Sequence, residues 1–398
     1  MEVSNMTQAK TNLEIINEFC EKKQHSNHTR VVYKTTLMKY SEFNQMSLCE
    51  LIEEAEAEED KGIRWKRCNL LNRLESFRAY LVKNFSENTA KQDLSRVKTF
   101  YKSFRIEIGE LDYLSDKVYN KKPTLEFEEI IDKDTIRRTL ELCTPVLKSL
   151  ILFQTSSGSA KAEALNLTIQ DFIDSVSSYT DATELKQVLN DLNGKCVIPK
   201  FRIKRQKINE YYYTFCSPEC TQQIVDYLKM RRVRILDEPL FKISDVYYKQ
   251  MLINLNNELG LGKCSDGFNK LRSHQLRKYF ATTMMNGKGC KLSMTDIDFL
   301  EGRASKGSRK SYFFQDSERL RVKYAESMNS ICINKQYEVD VVMDQLEIIE
   351  VGSQTYEQRK VKEQAERIAM LESRLSERNI LIEDIDKIVD LIDAMGTF

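Results

Sequence analysis

The sequence predicts a mainly α-helical protein that carries one small β-sheet. Three observations predict it. The 398 residues include only 13 Gly and 5 Pro, few breakers for a chain of this length. Apolar side chains recur at steps of three and four through most of the chain, the period of an amphipathic helix. The stretch 197–215 instead alternates and is dense in β-branched and aromatic residues, as a hairpin does.

Residues 1–10 are polar and read as a disordered tail. From Thr11 the chain turns helical: Leu13, Ile15, Ile16 and Phe19 form one apolar face, and Val31, Val32, Thr35, Leu37 and Met38 form the next. Ser47-Leu48-Cys49-Glu50 opens a third helix, because a serine oxygen at the N-cap can accept from an otherwise orphaned amide. A charged run over 53–61 ends at Gly62, and a fourth helix is predicted over 65–84, with Leu70, Leu71, Leu74, Phe77 and Leu81 at helical steps. Ser86 to Thr89 cap a fifth, which carries Val97, Phe100, Tyr101 and Phe104. These helices make a first domain over 11–110, whose cations Arg64, Lys66, Arg67, Arg73, Lys91, Arg96, Lys98 and Lys102 are of the kind that tracks a phosphate backbone.

Residues 111–128 read as a linker. Lys121-Lys122-Pro123 is a basic, non-helical connection there, since proline disfavours helical backbone in the residue before it. A second domain over 129–330 begins with a helix over 132–142 and another over 146–154, ending in Thr155-Ser156-Ser157-Gly158. The hairpin follows, with its turn at Lys207-Ile208-Asn209-Glu210 and with Arg202, Lys204, Arg205 and Lys207 along it. Ser217-Pro218-Glu219 starts a helix with proline in its first turn, predicted to run to Arg234. Further helices are predicted over 246–259 and 316–328, and the loop 260–267 leads into a helix that carries His274. In the region 331–398, Ile368, Leu371, Leu375, Ile382, Ile385, Val389 and Ile392 are three or four apart except around Arg378, a seam that fits a coiled coil or a docking helix.

The formal net charge of +1 conceals an uneven distribution. Residues 336–398 hold 15 acidic and 7 basic side chains, so this acidic tail carries −8 and the body before it about +9. A basic body points to a polyanionic partner. No run of about eighteen apolar residues occurs, and the N-terminal residues are polar and mixed in charge, so neither a membrane span nor a signal peptide is expected. The protein is expected to stay inside the cell, in the cytoplasm.

The ten cysteines are scattered singly and are expected to be reduced. Cys216 and Cys220 have no histidine near them in sequence, and of the three histidines only His274 lies in the C-terminal two thirds, which argues against a multi-histidine metal centre there. No phosphate-cradling glycine loop, dinucleotide motif or Ser-His-Asp arrangement competes for the chemistry. No metal or other cofactor is expected.

The stretch 271–312 remains as the place where chemistry concentrates. His274 and Arg277 are three apart, so on a helix they share a face and can reach one anion together. Gly302-Arg303 follows, and then Tyr312 among Lys306, Arg309 and Lys310. A phenol held against a phosphate by cations is the outline of a covalent phosphoryl-transfer site.

In this order the residues resemble the C-terminal half of the catalytic domain of the tyrosine recombinase, or phage integrase, family, especially its archaeal and viral members. Tyr312 lies nine residues after Arg303, the spacing at which that family sets its nucleophile, and this picks it out of 18 tyrosines. The segment 158–171 resembles the family's entry motif, with Gly158, Glu163, Leu167 and Asp171 in register. One residue departs from it: Ala160 stands at the position of the first catalytic arginine. Lys161 is adjacent, but one helical step turns a side chain by about 100°, so it is not expected to substitute in place. Alanine can neither bind a phosphate oxygen nor offset its charge, so cleavage by this chain is expected to be impaired. An introduced substitution or a secondary loss accounts for the alanine best.

The resemblance implies an N-terminal helical core-binding domain ahead of an α+β tyrosine recombinase catalytic domain; it does not extend to the acidic tail, which is read as helical or coiled-coil from its seam alone. It implies a site-specific recombinase that cleaves and rejoins duplex DNA through a 3′-phosphotyrosyl intermediate. The expected partners are DNA bearing a specific recombination site and further copies of the chain, as a homo-tetramer on that site, with no membrane. In this reading Tyr312 is the nucleophile, and Arg277, His274 and Arg303 hold the phosphate. Glu163 would orient the arginine helix, a role left idle by Ala160. Lys207 lies eight residues before Phe215, where the family places its acid for the departing 5′ oxygen, and Lys204 is the runner-up. Contacts with DNA are expected from Lys204, Arg205, Arg202, Lys66, Arg67, Arg96, Lys121, Lys122, Arg309 and Lys310. Two alternatives stay open: a non-catalytic DNA-binding relative, and a strand transferase like the type IB topoisomerases.

Overall fold

The computed structural model describes residues 10–115, 118–119, 123–205, 209–287, 289–303 and 316–334. The chain divides into two compact units, 1–124 and 125–398. The described residues form helices and one two-stranded antiparallel sheet, the mainly α class with a small β-sheet that the pattern predicted.

The first unit holds α1 (Asn12–Lys22), α2 (Asn27–Asn44), α3 (Leu48–Asp60), α4 (Asn69–Asn84) and α5 (Glu87–Ser103). Thr11 and Ser47 each form a capping box, accepting from Glu14 and Glu50 amides and donating their own amides to those carboxylates. The helix predicted over 65–84 is broken instead. Trp65–Arg67 is a single 3-10 turn, Cys68 is extended, and α4 starts at Asn69. Cys68 offers no cap, so the buried carboxylate of Glu58 on α3 takes the first amides of α4, accepting from Asn69 at 2.7 Å and Leu70 at 3.3 Å. A negative charge at a helix N-terminus also meets the positive end of its dipole. The core of this unit is aromatic, with Phe19, Tyr40, Phe77, Phe100 and Tyr101 all buried.

The second unit is built around α7 (Pro145–Ser157), which is buried nearly all round. It packs against α11 (Pro218–Met230) and α13 (Ser273–Asn286), with α6 (Lys133–Glu141) and α12 (Asp245–Glu258) completing that core. Strands β1 (Lys200–Arg205) and β2 (Glu210–Phe215) pair antiparallel, with Ile203 opposite Tyr212 and Lys204 opposite Tyr211. Because side chains alternate along a strand, Phe201, Ile203, Tyr212 and Thr214 face the core while Arg202, Lys204 and Tyr211 face out.

The short helices α8 (Lys161–Leu165), α9 (Ile169–Ser175) and α14 (Met294–Leu300) carry too few residues to show a period, whereas α10 (Leu185–Leu192) sets Leu185, Val188, Leu189 and Leu192 at steps of three and four. The helix from Ser217 stops at Met230 rather than Arg234, because Arg231 folds back. It donates to the carbonyl of Pro239 at 2.7 Å and pairs with Glu238 at 2.5 Å, which clips 231–240 into a loop. The last helix, α15 (Ser317–Ser327), is capped by Asp316. Beyond it Ile331, Cys332 and Ile333 are buried in the second core, past the boundary expected at 330. The coiled-coil seam of 368–392 lies outside the described residues.

Gly158 ends α7 in the left-handed region with φ +65, and a Cβ there would collide with the Phe280 ring. Glycine is therefore required both by backbone and by space. The turn it makes sets the start of α8 beside the start of α13.

Candidate functional site

Arg277 lies one turn into α13, with 9% of its surface exposed. Its guanidinium is fixed on three sides. The Nε is 3.2 Å from Glu301 Oε1, one Nη donates to the Glu301 backbone carbonyl at 2.6 Å, and the other is 3.8 Å from Glu163 Oε2. Glu301 follows α14 and is wholly buried. Burial pushes its carboxyl up, while Arg277 and Arg303 pull it back down. Its oxygens meet the two arginines as ion pairs without a well-aligned hydrogen bond, so charge rather than direction holds them. Arg303 completes the cluster with its Nε 2.7 Å from Glu301 Oε2, and its side chain is 47% exposed.

Glu163 is the second buried carboxylate. It caps α8 by accepting from the Ala160 amide at 3.0 Å and accepts the Tyr212 hydroxyl at 2.8 Å. Arg205 Nε lies 3.8 Å away, and the same guanidinium donates to the Gly302 carbonyl. Gly302 has φ +63, and a Cβ there would come within 2.6 Å of the Tyr212 ring. Glu163 is therefore not left idle by Ala160: it joins α8, the hairpin and α13. Burial and the neighbouring Glu163 carboxylate raise the Tyr212 phenol well above its ordinary value, so Tyr212 serves as a neutral donor.

Beside this cluster α8, α12, the loop 260–272 and the start of α13 enclose a cleft of about 610 Å³, onto which Ala160, His274 and Arg277 all open. Lys161, Lys249, Lys263 and Arg272 also line it. Lys161 thus reaches the cleft despite its one-step offset from Ala160, with its ammonium paired to Asp245 on α12. A cleft lined by one sign of charge concentrates the opposite sign.

His274 is exposed at the cleft, and its imidazole is held below its ordinary value. Partial burial is the largest cause, followed by the cations Lys278, Arg272, Arg277 and Arg303. The ring is therefore a neutral acceptor at neutral pH, and an anion beside it would raise its proton affinity. Binding of a phosphate then takes up a proton, so affinity rises as the pH falls through the range between the free and the bound values. Titrating sulfate, which stays a dianion throughout, between pH 7.5 and 5.5 is expected to show a severalfold gain toward acid that His274→Gln removes. A flat profile in the unaltered protein would count against a histidine in the anion site.

The fold brings together five residues that the sequence analysis assigned to the site: Ala160, Glu163, His274, Arg277 and Arg303. Arg205 was expected on DNA but turns inward to the Gly302 carbonyl and Glu163. Arg202 and Lys204 stand on the outer face of the hairpin, with the Arg202 guanidinium 4.0 Å from the Tyr211 ring centre. In the first unit Lys66 and Arg67 are exposed on the 3-10 turn, while Arg96 is held by Asp93 at 2.7 Å and by Gln92. Tyr312, Lys207, Lys121, Lys122, Arg309 and Lys310 lie outside the described residues.

Sequence reasoning missed Glu301, Tyr212 and Arg272. Two of these had a signal. Glu301 directly precedes the Gly302-Arg303 pair, and the period of the strand turns Tyr212 to the same face as Ile203. Arg272 had none, since its place depends on Asp266 at 2.5 Å in the folded loop.

No protein-family model matches the chain, and no curated protein matches it in sequence. Among solved structures it is similar to the XerH site-specific recombinase bound to difH substrate in a pre-cleavage complex, at 18% identity and a TM-score of 0.48, over 79% of this chain and 84% of that one. It is similar to the Tn1549 transposon integrase in complex with circular intermediate DNA, at 13% identity and a TM-score of 0.44, over 77% of this chain and 96% of that one. It is similar also to an integrase from mycobacterium phage Brujita, at 12% identity and a TM-score of 0.34, over 84% of this chain and 98% of that one.

Proposed function

We propose that this protein is a site-specific DNA recombinase of the tyrosine recombinase kind, impaired in strand cleavage by Ala160. The observation that carries the reading is Arg277: a nearly buried guanidinium, immobilised by two buried carboxylates, that opens beside a neutral histidine onto a cationic cleft. A guanidinium fixed in this way is already oriented to bind two phosphate oxygens, so little rotamer freedom is lost when they arrive.

In the proposed reaction the Tyr312 oxygen attacks phosphorus and its proton passes to His274. The bond from phosphorus to the 5′ oxygen breaks, and that oxygen leaves as a hydroxyl with a proton from Lys207, or from Lys204 on the exposed face of the hairpin. Arg277 and Arg303 offset the charge that builds on the non-bridging oxygens. Attack by a 5′ hydroxyl on the phosphotyrosine reverses the steps on another strand. The phosphodiester bond energy stays in the intermediate. The partner is duplex DNA bearing a recombination site, engaged by a tetramer of this chain, with the acidic tail as an assembly surface.

A second reading keeps duplex binding without cleavage. Ala160 favours it, because the cleft lacks a guanidinium there. The two separate in one experiment. DNA fragments protected by the protein are incubated with the Ala160→Arg variant and run on a denaturing gel. A protein-linked strand is expected, and Tyr312→Phe in the same background is expected to eliminate it. A linked strand that persists without the phenol would remove Tyr312 as nucleophile, and the absence of any linked strand would favour the second reading.

A further inference from the structure

The cleft beside Arg277 is larger than one phosphate group requires, and much of its lining is not built for charge. Tyr248, Leu252 and Leu271 are buried along it. At its mouth stands Phe268, 53% exposed. The backbone around this phenylalanine is held firmly. Gly267, at φ +79, turns the chain just before it, the Phe268 carbonyl accepts from the Cys264 amide at 2.8 Å, and a bridge between Lys263 and Asn269 closes the turn.

Arg272 lies over the ring with its guanidinium carbon 5.2 Å from the ring centre. It is fixed by Asp266 at 2.5 Å and by the Asn269 carbonyl at 2.8 Å. Ring, guanidinium and apolar wall thus form one preorganised platform, and it shares a cavity with the two side chains assigned to the phosphate. A group attached to that phosphate has the platform within the same cavity. An aromatic group beneath a cation, covalently joined to an anion, is the description of a nucleotide. Every base has a π-face for such a platform, whatever its sequence.

We propose that the cleft receives one unstacked base of bound DNA, that of a nucleotide whose phosphate is held by Arg277 and His274, against the platform of Phe268 and Arg272. The proposal rests on the reading of Arg277 and His274 as a phosphate site. Taking the base out of the helix costs stacking and pairing energy, which the platform and the apolar wall return in part. Preference for a DNA position that unstacks readily follows from the same exchange.

The test compares deoxyadenosine monophosphate with deoxyribose 5-phosphate, which has the sugar and the phosphate without the base, by calorimetry on the full chain. Adenosine nucleotide is expected to bind on the order of 5- to 100-fold tighter, the gain that one aromatic stack gives. Phe268→Ala is expected to erase the difference while leaving the affinity for the sugar phosphate unchanged, and its exposure makes the variant safe for the fold. A duplex with a single unpaired adenine is expected to bind tighter than the fully paired duplex in the unaltered protein alone. Equal affinities for the two small ligands, or a preference that survives Phe268→Ala, would overturn the base site and leave the phosphate site standing. A nucleotide preference without preference for the unpaired duplex would also overturn it, since the cleft would then serve a free nucleotide. No binding of deoxyribose 5-phosphate at all would overturn the phosphate site, and the base site with it.

Discussion

Ala160→Arg is expected to increase the yield of protein-linked DNA by on the order of 10²–10³, the value of one well-placed donor to a developing oxyanion, about 2.7–4 kcal/mol. The position accepts the change. Ala160 is the N-cap of α8 with extended backbone, φ −72 and ψ 150, a conformation any residue adopts, and its side chain makes no cap that an arginine would forfeit. Its methyl opens onto the cleft that His274 and Arg277 share, and the Glu163 carboxylate already sits against its amide. Without DNA the added guanidinium would stand among Lys161, Arg272 and Arg277, so it would be drawn toward an arriving phosphate. Duplex affinity, set by the many cations outside the cleft, is expected to stay nearly constant. The measurement is a quantitative denaturing gel beside a binding titration. Equal yields from both proteins would mean that cleavage is not what this cleft is built for.

Arg277→Ala is expected to lower the melting temperature of the second unit by on the order of 10 °C. The deleted guanidinium is the main counter-charge of Glu301, which is wholly buried, and it also lies within 3.8 Å of Glu163. Breaking a buried ion pair costs about 3–5 kcal/mol, toward the lower end here because Arg303 stays 2.7 Å from Glu301, and each kcal/mol shifts a domain of this size by roughly 2–4 °C. The effect has a pH signature. Burial already raises the Glu301 carboxyl, and losing Arg277 raises it further. A carboxyl whose folded value lies above its unfolded one binds more protons in the folded state, so stability increases as the pH falls through the folded value toward the unfolded one. The deficit should therefore shrink in mild acid, and Glu301→Gln added to Arg277→Ala should recover part of it at neutral pH. Thermal melts of the single and double variants across pH check both points. A deficit that is the same at every pH would assign it to lost packing rather than to the Glu301 charge left with Arg303 alone.

Local chemistry made much of the fold legible in advance. Thr11, Ser47 and Ser217 cap helices where their oxygens can reach amides three residues on, a relation written within four consecutive residues. The alternation over 197–215 marked the hairpin, and the same period sets Phe201 and Ile203 inward and Lys204 outward, because a strand's side chains can point only two ways. The same locality explains the errors. The break at Cys68 is made by Glu58 from another helix, and the early end of α11 by Arg231 reaching back to Pro239. Neither cause is visible inside the segment that it reshapes.

By itself the sequence determined the helical class, the hairpin and its faces, and the placing of His274 and Arg277 on one side of a helix. Only the tertiary structure decided that Arg277 is buried against Glu163 and Glu301, that Arg205 meets Glu163 and the Gly302 carbonyl, and that Phe268 lines the same cleft as His274 and Arg277. The reason is physical. A helix or a strand repeats on its own short period, whereas the strength of a charge and the pairing of a carboxylate depend on which distant segments exclude water from it.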